Sequence, residues 1–188
     1  MNRREMIGQL AEDRVRDFLT NMGYEVVYGV APDLQKNSYD LRLFNKQGFV
    51  VNVSVKASSD DCISLRMARV GDDGTITSKH NDAYDIMHKQ VDLVAFVSGE
   101  EIMFVSNNEL SSYLKKWKFP SPIDPYEAAI DWCMHGQNRY LGHKIRGFYI
   151  LPNEERHDSS IFMKININNL NKIPYENLED YIESRIEL

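Results

Sequence analysis

Two short runs of alternating residues, Leu41-Arg-Leu-Phe44 and Val50-Val-Asn-Val-Ser-Val-Lys56, constrain this chain more than any other stretch. A period of two places Leu41, Leu43, Val51, Val53 and Val55 on one face of an extended chain, a sorting that a helix cannot perform. Asn45-Lys-Gln-Gly48 between the runs supplies turn residues, so the segment predicts two adjacent strands. An acid, Asp40, opens the first strand, and Lys56 closes the second. A carboxylate and an ammonium at the ends of neighbouring strands can meet at one point in space.

That pairing suits metal-assisted phosphodiester chemistry, in which an acid holds a divalent cation and a lysine steadies a water or a phosphate. The simplest version of such a site has a second carboxylate two residues before the lysine. Here that position is Ser54. A hydroxyl is a neutral and weaker ligand for a hard cation, so it would bind through water, or another acid would make up the charge.

The rest of the chain frames this feature. Its 188 residues allow one domain with a proper core, and 43% hydrophobic content places it among globular chains. Cys62 and Cys133 are far apart and outside any paired-ligand spacing, which predicts free thiols in a reducing compartment. No apolar run approaches a membrane span, and Met1-Asn-Arg-Arg-Glu5 lacks an apolar signal core, so the expectation is a cytoplasmic protein with no membrane partner. The net charge of −6 is not that of a protein held to nucleic acid by its overall charge. Basic residues are nonetheless clustered in Lys115-Lys116-Trp-Lys118 and from Arg139 to Arg146.

Periodicity predicts a helix over residues 3 to 22, stopped by Gly23, and a strand at Tyr24–Tyr28. After the two opening strands come a strand over 62–70 and a short helix over 83–90 capped by Asn81 or Asp82. Strands at 91–97 and 102–105 follow, and then a helix from Asn107 or Asn108 to about Trp117. This order describes an α/β core, a mixed sheet flanked by helices. Beyond Phe119-Pro-Ser-Pro122, a helix is expected over 124–135, strands over 144–151 and 161–167, and a final amphipathic helix after Ile173. The simplest organisation is a core over 1–118 with a C-terminal α+β elaboration, 119–188, packed on the same domain.

On the first helix, Glu12 follows Ala11 of the apolar stripe, at the edge of a buried face. Glutamates on helices are mostly solvated, but with Asp40 and Lys56 this one completes a set of two carboxylates and an amine. Gly8-x-x-Ala-Glu12, Gly23-Tyr-Glu-Val-Val27, Asp40 opening a strand, and Val53-Ser-Val-Lys56 together resemble the PD-(D/E)XK nuclease superfamily. The branch most similar includes archaeal Holliday-junction resolvases and some intron homing endonucleases. Tyr84 to Ser106 also looks like that branch, and the resemblance spans residues 5 to about 110.

The resemblance implies a restriction-endonuclease-like core, a four-stranded mixed sheet flanked by helices, and Mg²⁺- or Mn²⁺-dependent hydrolysis of DNA, with a restriction, homing or junction-processing role left open. Carried over residue by residue, Asp40 is the main metal ligand, Glu12 the helix acid and Lys56 the catalytic lysine. Val55 lends its backbone carbonyl to the metal. Asp33 of Pro32-Asp33 is an alternative to Asp40, which is preferred because it starts the strand beside the lysine strand. Ser54 departs from the family pattern. Such changes also mark inactive relatives, so the alternative is a nuclease-fold protein that binds nucleic acid or a protein partner without cutting. Cutting both strands of a duplex wants two active sites, and a homodimer or higher homo-oligomer is expected on the resemblance alone.

For DNA contact the candidates are Lys116, Lys118, Arg139, Lys144 and Arg146, in basic stretches with aromatic neighbours. The histidines are scattered, and Cys133-Met-His135 with His143 is only a partial zinc spacing. Neither common glycine-rich phosphate loop occurs.

Overall fold

Helix α1 (Arg3–Asn21) begins the computed structural model, which describes residues 3–29, 39–58, 60–71, 75–77, 81–116, 148–153 and 158–185. Ala11, Val15 and Leu19 recur every fourth residue along it and are buried, the stripe that a helix needs to lie on a sheet. The helix stops where Gly23 takes a φ of 99°, a left-handed conformation that a Cβ would strain. The Gly23 and Tyr24 N–H groups turn back to the carbonyls of Thr20 and Leu19.

Strands β1 (Glu25–Tyr28), β2 (Leu41–Phe44) and β3 (Val50–Ser58) form an antiparallel meander, with Tyr28 opposite Leu41 and Leu41 opposite Val53. Asn45 shapes the β2–β3 turn, its Oδ1 accepting from the N–H groups of Gln47 at 3.1 Å and Phe49 at 2.9 Å. β3 then pairs in parallel with β6 (Leu93–Ser98), and β6 turns back into β7 (Glu101–Ser106). The sheet order is β1-β2-β3-β6-β7. A parallel pair needs a long crossover. It carries β4 (Cys62–Gly71), β5 (Ile76–Thr77) and helix α2 (Asp82–Met87). Helix α3 (Asn107–Lys116) follows β7.

The mixed α/β sheet flanked by helices is therefore present, with five strands where the resemblance implied four. The run of strands read from the sequence as one sheet divides in two. β4 has no place beside β3, whose flanks are taken by β2 and β6. It joins a second, antiparallel sheet, β5-β4-β9-β8, with β8 (Phe148–Asn153) and β9 (Asp158–Asn166) from the far end of the chain.

β6 is buried on both faces, as its unbroken apolar sequence requires. Leu93, Ala95 and Val97 pack with α1 and with helix α4 (Tyr175–Glu183), which contributes Leu178 and Ile182. Val94 and Phe96 face Ile86, Leu110 and the inward side chains of the second sheet, Ile63, Leu65, Ile161 and Met163. Burying a large apolar side chain such as Phe96 contributes about 1.5–3 kcal/mol. The C-terminal segment is fastened to the first sheet by the Ile173 N–H to Phe104 carbonyl bond, by the Tyr181 hydroxyl on the Asp92 carbonyl, and by an Arg185–Asp92 ion pair. The helix expected over 124–135 lies outside the described residues. Among the described residues no helix is long and apolar enough to cross a membrane.

Candidate active site

Asp40 sits one residue ahead of β2, where its N–H still donates to the Val53 carbonyl at 3.0 Å. Gly29, at the end of β1, makes room for it. The Gly29 N–H donates to the Asp40 carbonyl, and a Cβ at Gly29 would lie 2.9 Å from the Tyr39 carbonyl oxygen. The Asp40 side chain turns toward β3, where its Oδ2 accepts from the Val55 N–H at 2.6 Å and from the Ser54 Oγ at 3.1 Å. In a strand, the N–H and C=O of one residue point to the same side. The Val55 carbonyl therefore also faces the side where β2 has ended, beside Asp40.

Ser54 and Lys56 lie on the sheet face opposite Val53 and Val55. The sequence reading lets Asp40 and Lys56 meet directly. Instead, the Lys56 Nζ donates to Asp82 Oδ1 at 2.7 Å, and Asp40 reaches it through charge. The reason is register. Leu41 is aligned with Val53, so Asp40 falls opposite Ser54 and commits its carboxylate to the next backbone N–H, that of Val55, leaving the lysine to the helix that covers its face. Asp82 is the first residue of α2, and its Oδ2 accepts the Arg66 backbone N–H of β4 at 2.8 Å. Both side chains are largely covered, with 22% and 26% exposure. Burial works against the Lys56 charge, but the Asp82 and Asp40 carboxylates outweigh it and hold the ammonium above its usual pKa. Burial likewise opposes the Asp82 charge, and Lys56 holds that carboxyl below its usual value.

Glu12 reaches the same site from α1, which packs on β3. Its pKa is pushed up to about 7, first by burial, then by the Asp40 charge and by Asp13, with Lys56 pulling the other way. The Lys56 charge is paired with Asp82 and only partly offsets the Glu12–Asp40 repulsion.

That repulsion tests the site for a cation. The oxygens gathered here are the Glu12 and Asp40 carboxylates, the Val55 carbonyl and the Ser54 hydroxyl, all hard donors. Mg²⁺ commonly uses one or two carboxylates and keeps several waters, so the donor set fits. It is a lean set. Among the described residues no group of three or more His, Cys, Asp or Glu side chains could hold a metal.

Glu12, Asp40, Ser54, Val55 and Lys56 are thus brought to one region of the fold. Lys116 closes α3. Lys118, Arg139, Lys144 and Arg146 lie outside the described residues, as does Asp33. Asp82 was legible in the sequence only as a helix cap. Asn81 takes the cap position, and Asp82, one residue on, is the lysine's partner. An acid in the first turn of a helix is ordinarily explained by the helix dipole, so no local signal marks its second role.

No family model matches the chain, nor does any curated protein. Among solved structures, the bacterial homing endonuclease I-Ssp6803I superposes with a TM-score of 0.47 at 16% identity, over 60% of this chain and 74% of that one.

Proposed function

We propose that this protein is a metal-dependent DNA endonuclease of the PD-(D/E)XK type, using Mg²⁺ or Mn²⁺. The observation that carries the reading is the Asp40 carboxylate held on the Val55 N–H at 2.6 Å at the strand end beside a covered Lys56, with the Glu12 carboxyl near enough to both charges to be pushed up to about 7. The cost of placing the Glu12 carboxyl near Asp40 is one that a bound cation would relieve. Perturbed acids of this kind gather at functional sites.

In this reading Asp40, the Val55 carbonyl and Glu12 hold the cation, and Ser54 contributes through a water. When bound, the cation supplies Lewis-acid stabilisation of charge on the scissile phosphate. Lys56 has three N–H donors and gives one to Asp82. The others orient the attacking water and meet the phosphate oxygens. Lys116, Lys118, Arg139, Lys144 and Arg146 are the proposed DNA contacts, and two copies of the chain would be needed to cut both strands. The test is incubation of purified protein with plasmid, single-stranded and branched DNA in Mg²⁺ or Mn²⁺, against a chelator control and Asp40→Ala. Cleavage that needs the metal and Asp40 is the expected result, and DNA left intact in every arm sinks the catalytic claim.

A second reading, a non-cutting protein that binds nucleic acid or a protein partner, is favoured by the neutral hydroxyl of Ser54 bonded to Asp40 where a carboxylate would stand. Metal titration separates the two. A Mn²⁺ site lost in Asp40→Ala favours the enzyme, whereas DNA affinity without metal binding favours the binder.

A further inference from the structure

A lysine that must present its ammonium to one phosphate oxygen has a mobility problem. Four rotatable bonds set the position of Nζ relative to the strand, and a free lysine side chain samples many rotamers. Lys56 is steadied by a carboxylate other than Asp40. Its ammonium lies against Asp82 Oδ1 at 2.7 Å, and the other oxygen of that carboxylate is tied to the Arg66 backbone N–H at 2.8 Å. The Asp82 main chain is the first turn of α2, held by the Asp85 N–H on the Asn81 carbonyl at 2.9 Å. The carboxylate therefore bridges β3 of one sheet to β4 of the other, through the helix between them. Both of its oxygens are engaged, one by the lysine and one by β4, so it is placed to orient the lysine. It also supplies a negative charge near Lys56 that the strand itself, with Ser54 two residues earlier, does not.

We propose that Asp82 is the positioning residue of this site, fixing the Lys56 ammonium against β4 so that its remaining N–H groups face Asp40 and the incoming phosphate. This inference rests on the endonuclease reading. It adds to that reading a dependence of cleavage on the docking of the second sheet, since the Arg66 N–H is the outer anchor of the arrangement.

The test compares the full chain with Asp82→Ala, Asp82→Asn and Lys56→Arg, checking each for folding by thermal unfolding. For DNA cleavage in Mg²⁺, misplacing a reacting group by about an ångström costs up to about 100-fold. Asp82→Ala is therefore expected to lower kcat about 10- to 100-fold with KM within about twofold. Asp82→Asn, whose amide oxygen still accepts from Lys56, should recover part of the loss. A folded Asp82→Ala protein with unchanged kcat, or a loss shared by KM and by the folded fraction, overturns the proposal.

The second readout needs no cleavage. In ¹⁵N-labelled, metal-free protein, the Lys56 ammonium should give a cross-peak slowed in solvent exchange, absent in Lys56→Arg and lost in Asp82→Ala. If that cross-peak behaves so while no DNA is cut, the endonuclease reading fails and the Lys56–Asp82 contact stands. If the wild-type protein cuts DNA and shows no such cross-peak, the positioning role fails by itself.

Discussion

Replacing Glu12 with glutamine removes one ionisable group at nearly constant shape, so its effect on stability reports what it costs the fold to keep that charge. The carboxyl rises from an ordinary 4.5 to about 7 in the folded chain, through burial first and the Asp40 charge second. At about 1.4 kcal/mol per pKa unit, this rise corresponds to roughly 3.5 kcal/mol for a group sealed from water. Glu12 is only half-buried, and solvent screening reduces the figure to about 1–2 kcal/mol. The sign follows from linkage. A carboxyl whose folded pKa is raised binds its proton more tightly when folded, so its contribution is fully favourable below pH 4.5 and is lost as pH rises through about 7. The replacing amide cannot ionise. Metal-free Glu12→Gln should therefore match the wild type near pH 4 and be more stable by about 1–2 kcal/mol at pH 8, or about 3–6 °C in Tm for a chain of this size. Urea unfolding at pH 4, 6 and 8 without divalent metal measures the gap directly. Millimolar Mg²⁺ at pH 8 should narrow it, because a cation bound between the carboxylates stabilises the wild type more. Stability curves that run parallel from pH 4 to pH 8 would refute the reasoning about burial and repulsion.

Three further outcomes follow from the same geometry. Lys56→Met leaves Asp82 covered and facing no ammonium, and chemical denaturation should show a loss of about 1–3 kcal/mol, at the lower end for breaking a buried pair because both groups keep some exposure; cleavage should vanish with it. Ser54→Asp places a third carboxylate beside Asp40 in a buried position, so calorimetry should find tighter Mn²⁺ binding together with a lower Tm in chelator. Leu178→Ala empties a fully buried site between α4 and the first sheet and should cost about 2–4 kcal/mol in urea unfolding, a test of whether the C-terminal helix belongs to the core.

Much of the first sheet was legible because its signals are local. The alternation around Leu41–Phe44 and Val50–Lys56, the stripe Ala11-Val15-Leu19 and the glycine after it each record a neighbour within a few residues, and the elements form where those patterns lie. The unbroken apolar run at 93–97 records burial on both faces of β6. What did not show is pairing at a distance. β4 and β9 carry ordinary strand patterns, but nothing in either says that residues about a hundred positions apart are partners in a second sheet. The five strands of the first sheet were each predicted, but that β1 joins them through its register with β2, and that β4 does not, was out of reach.

The candidate site divides in the same way. The residue types are written in the chain: an acid ahead of one strand, a serine and a lysine two apart on the next, a glutamate beside a helical stripe. Those are covalent facts, and strand and helix periods turn them into faces. Which charge meets which depends on how the elements pack. Backbone register gives the Asp40 carboxylate to the Val55 N–H, and the crossover brings Asp82 of α2 over the face where Lys56 emerges. Coulomb attraction acts through space without regard to chain separation. The partner of a lysine is therefore whichever carboxylate the fold delivers within about 3 Å, and here that is one 26 residues further along the chain.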